Sequence, residues 1–533
     1  MRRTLATCAL LISAGCGGGD EPKKPAGGTE TGAATSTLVF ARGGDSEHLD
    51  PAVINDGESA KVVTNIFDTL VGFEPGTLKL APALSDKWSA SADGLTWTFH
   101  LREATFHDGT PVDADAVVFS FERQRDKDHP AHTDTCQYWE SFFPMVKGVR
   151  AVDPRTVEIS LAEASAPFES TMTLFSMSIV SPTAWKSEGV DEATKKYRYK
   201  FSEKPVGSGP FKFVRWTRED TIVLERNEKW WGGRAKVGKL WFKTIKDNTQ
   251  RLLAVESGQA DLMDGVNPQD ATRARGNAAL ALEEQAGLNI GYFAMNVTKP
   301  PFDDARVRQA VALAIDKKTI VKTAYDGMGE IAVNPMPRAL PYWKDQPDRT
   351  VDRAKAKKLL EEAGKAGFAF KLNYMTLPRA YMPRPKDVAI QIQADLKEIG
   401  VRCELEALEW NRHRADVENA RHQACLLGWM ADFGDADNFL FTFFDKSNAQ
   451  VGSALNAAFY TDEEVHKWLV GARAATEPAE RGRLYGLVQE KLLVDAPMIP
   501  LVTMPELRVR ASKVKGYRIY PAGGEYLASV SVE

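Results

Sequence analysis

The stretch from 370 to 410 can fold in few ways. "FKLNYM" (370 to 375) alternates as a strand, and the polar loop "TLPRAYMPRP" follows it. "PKDVAIQIQADLKEIG" (385 to 400) then places Val388, Ile392, Leu396 and Ile399 on one helical face, with Gly400 as its C-cap. "VRCELEALEW" (401 to 410) alternates as a strand again. Strand, helix and strand in one short run predict a parallel, right-handed crossover, and hence an α/β fold. Ligands of such units sit beyond the C-terminal ends of the strands. Two loops qualify. One follows 370 to 375 and carries Arg379 and Arg384. The other follows a further strand, "HQACLLGWM" (422 to 430), and brings Asp432. A cation and an anion facing one crevice suit a zwitterion.

The rest of the chain has the same mixed character. "TLVFA" (37 to 41) and "LTWTFHL" (95 to 101) read as strands, the second entered from a hairpin turn at Asp93-Gly94. Residues 60 to 71 read as a helix, and "DADAVVFSFERQR" (113 to 125) as an N-capped one. "VGSGPFKFVRW" (206 to 216) is a glycine-rich bend entering a strand, and 251 to 263 read as helix, glycine stop and short strand. "DDARVRQAVALAIDKKTIVKTAY" (303 to 325) predicts one long helix with Val307, Val311 and Ile315 on a stripe. Two helices fill 462 to 494, and "MIPLVTM" (498 to 504) closes the run as a strand. Residues 290 to 495 behave as one unit. A chain of 533 residues exceeds what one core holds, so several packed units are expected.

Chemistry-bearing motifs are sparse. "GWMADFGDADNFLFTFF" (428 to 444) holds several aspartates among aromatics, and Asp432-Phe433-Gly434 spells the magnesium-binding triplet of protein kinases. The glycine-rich loop, strand lysine and catalytic loop that a kinase needs are missing from the sequence. The spacing of Asp435, Asp437 and Asn438 does not fit a calcium loop, so loop acids or helix caps are expected there. His100 and His107 lie seven residues apart, with no metal-ligand spacing around them. Ser208, between two glycines, has no evident base and reads as part of a tight bend. No catalytic residue, metal site or cofactor is assigned. A surface hydrolase is the rival reading from another class, and it requires a nucleophile–base pair.

The N-terminus addresses the chain to a membrane surface. Arg2 and Arg3 precede a short apolar run, Thr4 to Ile12, and then Ser13-Ala14-Gly15-Cys16. This resembles a bacterial lipoprotein signal over residues 1–15, with cleavage before Cys16 and lipid on that cysteine. Ser13 departs from the leucine usual there, and an ordinary secretory signal is the alternative. Residues 16–36 have the composition of a flexible tether. A net charge of −4 gives no basic footprint for nucleic acid. Cys136, Cys403 and Cys425 remain. Cys403 and Cys425 could pair if their strands are neighbours, but buried free thiols are the reading preferred.

Four long segments carry a resemblance that spans 38 to 533. They are "LAPALSDKWSASADGLTWTFHLREATFHDGTPVDADAVVFSFER", "VGSGPFKFVRW", "PFDDARVRQAVALAIDK" and "LLGWMADFGDADNF". The sequence resembles the family 5 solute-binding proteins of bacterial ABC importers, and within them the dipeptide-binding members. The resemblance implies a three-lobed fold, two main lobes joined by a hinge with a ligand crevice between them. Domain I would comprise 37–70, 205–281 and 498–533, domain II 71–204, and domain III 282–497. It implies that Asp432 takes a peptide's α-amino group and Arg379 its carboxylate, with Trp429, Phe433 and Trp410 as walls. Gly57 and Glu58 fall in a segment, Asn55 to Glu58, that meets the ligand backbone in the family. Glu58 departs from the dipeptide-binding pattern, and so does the lack of cysteines in "FTFFDKSNAQVGSALNAAF". The implied partners are a short peptide, an ABC permease with its ATPase subunits, and a membrane reached through lipid on Cys16. A monomer at the periplasmic or cell-surface side is expected, with no enzymatic role. Other cargo, such as a nickel complex, haem or a sugar, stays open.

Overall fold

The computed structural model of the protein describes residues 36–133, 135–520 and 522–533. Cys16 and the signal and tether expected over 1–35 lie outside them. Three larger sheets organise the described residues, beside two two-stranded ones. A seven-stranded sheet runs in the order Leu280–Gln285, Glu506–Ala511, Leu262–Met263, Thr37–Arg42, Lys239–Thr244, Thr221–Arg226, Phe211–Thr217. A four-stranded antiparallel sheet uses Ser85–Ala90, Thr96–Leu101, Thr156–Leu161 and Val146–Asp153, with the Ala114–Arg125 helix over it. A six-stranded sheet has the order Glu330–Ile331, Met498–Thr503, Asn289–Met295, Ala424–Met430, Ala369–Met375, Arg402–Leu408.

The predicted crossover is present. Ala369–Met375 pairs in parallel with Arg402–Leu408 on one side and with Ala424–Met430 on the other. The intervening helix, Pro385–Lys397, buries Val388, Ile392 and Leu396 against the sheet, and Ile399 follows them. Gly400 adopts a left-handed conformation two residues beyond the helix's C-cap, Glu398. Side chains alternate between two cores. Phe293, Met295, Ala424 and Leu426 face one, while Ile290, Tyr292, Ala294 and Cys425 face the other. Burial on both faces is why the Asn289–Met295 strand reads as a continuous apolar run. Cys403 lies opposite Phe370 and Cys425 opposite Asn373, with the middle strand between them. At about 4.8 Å per strand their Cα atoms are too far apart to bridge. Both are free and buried.

Four expectations are corrected. The 303 to 325 helix is two, Ala305–Ala314 and Lys317–Ala324, because Ile315 is extended and the Asp316 carboxylate caps the second helix. The first helix of the chain is Gly57–Ile66, begun earlier by the Asp56 cap, and residue 71 already belongs to a strand. The 401 to 410 strand stops at Leu408, because Glu409 caps a helix, Trp410–Glu418. Met498–Thr503, expected in domain I, pairs instead with Asn289–Met295 in the six-stranded sheet, and only Glu506–Ala511 joins the seven-stranded one.

The chain thus crosses between the two large sheets twice, at 286–288 and at 504–505. Asn289, 1% exposed, fastens the two crossings together. Its Nδ2 donates to the Met504 carbonyl at 2.8 Å, and its Oδ1 accepts from the Met504 N–H at 2.9 Å. Gly287 must be glycine for the same reason, since a Cβ there would sit 1.8 Å from the Met504 carbonyl oxygen. Asn289→Ala strands a buried donor and a buried acceptor on Met504, a loss of about 2–4 kcal/mol. Chemical denaturation of the ligand-free protein checks it, and a loss under about 0.5 kcal/mol would release Asn289 from this role.

Candidate functional site

The acidic segment sorts itself by partner. Asp435 receives both terminal nitrogens of Arg481, at 2.9 and 3.0 Å, and Asp437 receives Nε and Nη2 of Arg473, each at 2.8 Å. Both aspartates are buried. They are therefore neither solvated loop acids nor a calcium site: the arginines arrive from the helices Glu463–Ala474 and Pro478–Asp495. Asp432 is different. Among the described residues no cation pairs with it; it accepts from the Tyr138 hydroxyl at 2.8 Å and from Asn438 Nδ2 at 3.3 Å. Asn438 also fixes the turn, accepting from the Asp432 N–H at 2.9 Å and from Trp429 Nε1 at 3.2 Å. Burial pushes the Asp432 carboxyl up to about 6, against these hydrogen bonds, which favour its ionised form.

Arg379 sits in the loop after the neighbouring parallel strand. That loop folds back across two facing glycines, Gly291 and Gly428. A Cβ on Gly428 would lie 2.1 Å from the Tyr381 ring, so glycine lets the loop lie flat on the sheet. Tyr325 donates to the Tyr381 carbonyl at 3.1 Å, and Arg379 and Met382 exchange backbone hydrogen bonds at 3.1 and 2.9 Å. The Arg379 guanidinium is held 3.6 Å over the Trp410 ring. Among the described residues no carboxylate pairs with it, and its Nε is buried without an acceptor. Burial lowers its pKa from the ordinary value, with Arg414 adding to the effect. Arg384, the other cation of the loop, is paired with Asp326.

The remaining candidates divide. Trp410 lies under Arg379, and Trp429 is half-buried against Phe443. Phe433 is 2% exposed and leaves the loop altogether: its ring enters the core of the four-stranded lobe, 5.8 Å from Phe142. Gly57 is exposed on the first turn of its helix. Glu58 is tied to Lys61 at 2.8 Å, and burial raises its pKa. Sequence reasoning missed Tyr138, which reaches Asp432 from the Gln137–Phe142 helix; Asp56, inside the segment Asn55 to Glu58, has an Oδ2 buried without a donor. The Tyr138 phenol is held well above its usual pKa by burial, then by Asp432 and Asp56. Asn55 Nδ2 donates to Gln137 Oε1 at 3.0 Å, which brings the 55–56 loop to the same helix. The 55–56 loop and the Asp432 turn therefore both touch the Gln137–Phe142 helix.

Ser208 offers no nucleophile: its hydroxyl donates to Asp68 at 2.8 Å, beside Trp231. Among the described residues no three His, Cys, Asp or Glu side chains gather as metal ligands. A separate groove of about 800 Å³, lined by His107, Lys212, Arg215 and Trp216 among others, runs along the outer edge of the seven-stranded sheet and contains none of the candidates.

The model of the bacterial extracellular solute-binding proteins, family 5, matches residues 79–451. The chain belongs to this family. Its members are extracellular binding proteins of transport systems, not enzymes. Heme-binding protein A of Haemophilus influenzae is 34% identical over 99% of this chain and 98% of its own. The dipeptide-binding protein of Escherichia coli is 32% identical, over 93% of this chain and 95% of its own. The ABC transporter-associated periplasmic binding protein DppA from Helicobacter pylori, in complex with the peptide STSA, superposes with a TM-score of 0.81. It is 33% identical and covers 93% of this chain and 98% of its own. The α/β fold expected from sequence is thus the family's. No helix among the described residues is long and apolar enough to cross a membrane.

A raised carboxyl makes a direct test. Carboxyl-carbon NMR of aspartate-labelled, ligand-free protein should give Asp432 a midpoint near 6. Tyr138→Phe removes a donor to the ionised form, so its midpoint should move up. A midpoint close to 4, the ordinary aspartate value, contradicts the burial described above.

Proposed function

We propose that this chain is the substrate-binding lipoprotein of an ABC importer, which captures dipeptides or short oligopeptides and delivers them to the membrane permease. One observation carries the reading. Two loops at the C-terminal ends of adjacent parallel strands each present an ionised group without a protein counter-ion among the described residues, Asp432 and Arg379. A zwitterionic ligand supplies both missing partners. Asp432 takes the α-ammonium, Arg379 the carboxylate, and Trp410 and Trp429 stand as walls that exclude water and strengthen both pairs. Gly57 offers an exposed backbone N–H at a helix N-terminus for a ligand carbonyl. The peptides that relatives are named for support this cargo. The haem for which another relative is named keeps a second cargo in view, and mass spectrometry of ligand released from the purified protein distinguishes them. Cleavage of a bound peptide on incubation would turn the reading towards a hydrolase.

Removing one member of a buried charge pair leaves the other unpaired, at about 2–5 kcal/mol. Asp432→Asn should therefore weaken peptide binding by about 30-fold to a few thousand-fold. N-acetylation of the peptide should cost the wild type heavily and the variant much less. Arg379→Gln should behave in the same way towards C-terminal amidation. Calorimetry on each four-way combination gives two coupling energies. A coupling near zero at the amine end removes Asp432 from the role; failure at the carboxylate end alone makes longer peptides the cargo.

Anchoring is a separate test. Cys16 carries the lipid in this reading, and acyl chains contribute about 0.8 kcal/mol per buried CH₂. Cys16→Ser should move the protein from the detergent phase to the aqueous phase on phase separation. Unchanged partitioning would make the N-terminus an ordinary secretory signal.

A further inference from the structure

We infer that Arg414 is a specificity-determining residue at the carboxylate end of the crevice. It places a second cation beside Arg379, which favours a ligand end with two carboxylates, such as a peptide ending in glutamate. This rests on the peptide reading above and deepens it, since it adds a side-chain preference to the two backbone charges.

The second cation comes from the helix that begins under Arg379. Trp410, whose ring carries the Arg379 guanidinium at 3.6 Å, is the first residue of the helix Trp410–Glu418. Arg414 lies four residues on, hence on the same face and about one turn, roughly 5.4 Å, further along the axis. Tyr381 marks the ground between the two arginines. It belongs to the loop that lies across Gly428, it is 6% exposed, and its hydroxyl is buried without a partner. Burial raises the pKa of this phenol, and Arg379 and Arg414 both act on it in the opposite sense, so both charges face one buried hydroxyl.

The acids nearby leave donors free. Glu409 turns its carboxylate back on its own helix, accepting from the N–H groups of Asn411 and Arg412 at 2.9 and 3.4 Å. Arg412 pairs with Asp416 at 3.0 Å. Arg414 donates to a single oxygen of Glu418, through Nε at 3.1 Å and Nη2 at 2.6 Å. Its Nη1 has no acceptor among the described residues, and its side chain is 41% exposed, so one edge of the guanidinium is open to a ligand. In the peptide reading the α-carboxylate goes to Arg379. The side chain of the last residue then starts beside Arg379 and can run towards Arg414. Glutamate, longer than aspartate by a methylene, suits a spacing of about one helical turn better.

The test separates charge from size. Alanyl-glutamate and alanyl-glutamine have nearly the same shape and differ in the charge at issue. Calorimetry on the full-length protein measures both, with alanyl-alanine as reference. The readout is the glutamine-to-glutamate ratio of dissociation constants. In the wild type alanyl-glutamate should bind about tenfold more tightly, the lower end for a charged hydrogen bond because Arg414 is part-exposed. Arg414→Gln should bring the ratio to about one. Arg414→Lys, which keeps the charge and loses the forked donors, should fall between. Glu418→Gln removes the competing acid and should raise the ratio by about threefold, which tests the assignment even where Arg414→Gln fails to fold. A wild-type ratio near one, with alanyl-alanine bound, overturns this inference alone. A high ratio that survives Arg414→Gln, or that Glu418→Gln leaves unchanged, overturns the role of Arg414. Absence of binding by all three peptides overturns the peptide reading and this inference with it.

Discussion

Everything at the crevice depends on two strand crossings held side by side by one amide side chain. The seven-stranded and six-stranded sheets communicate through the 286–288 and 504–505 segments, and Asn289 satisfies both the donor and the acceptor of Met504 between them. The antiparallel ladder that joins Leu280–Gln285 to Glu506–Ala511 in one sheet resumes as Asn289–Met295 with Met498–Thr503 in the other. A short break in an otherwise continuous ladder is a hinge with little freedom other than bending. The Asn289–Met295 strand that leaves this hinge is also the strand against which Ala424–Met430 pairs. The loop carrying Asp432 therefore follows a strand that is two strands from this crossing.

Local pattern carried much of the fold. The crossover helix, the strands on either side of it and the alternation of their buried faces follow from residue spacing, and they place the two loops that matter. What local pattern could not supply was the choice among competing caps and pairings. Asp316 is a better N-cap than a helix interior residue, so it splits a run whose apolar stripe is continuous. Glu409 ends a strand whose alternation still continued into Trp410. "MIPLVTM" reads as a buried strand in either sheet, and only long-range pairing decides which one it joins.

The site was legible to a similar depth. Asp432 and Arg379 lie in the two loops that the crossover argument singles out, while Trp410 opens the helix Trp410–Glu418 and Trp429 lies in the strand Ala424–Met430. The resemblance makes Phe433 a wall of the same crevice; its burial in another lobe is a tertiary fact with no local signal. Tyr138 was invisible for the same reason, 294 residues away in sequence from the carboxylate it donates to. A tyrosine within an aromatic-rich short helix, "QYWESFF", is more often core than ligand shell. Sequence reads the acids at 435 and 437 as loop acids or helix caps. Asp435 does accept from the Asp437 N–H at 2.9 Å where the Asp437–Phe444 helix begins, and only the arginines, 46 and 36 residues further on, lack a local signal.

Those arginines explain why Asp432 is left alone. Three carboxylates within six residues repel one another, and burying them together is costly unless each finds compensation. Arg481 and Arg473 neutralise two of them with paired hydrogen bonds, which also fixes the backbone of the turn. The third receives only neutral donors, Tyr138 and Asn438, and burial raises its pKa as a result. Neutral donors orient a carboxylate without cancelling its charge. Arg379 repeats the arrangement with opposite sign: an aromatic face steadies it, and no acid among the described residues pairs with it. A fold that pairs Asp435 and Asp437 so completely has the means to pair Asp432 as well. Leaving one anion and one cation uncompensated on neighbouring loops costs stability in the empty protein; in the proposed reading a ligand carrying both charges offsets that cost. The proposed reading thus ties lobe closure to the charges of the cargo rather than to its bulk.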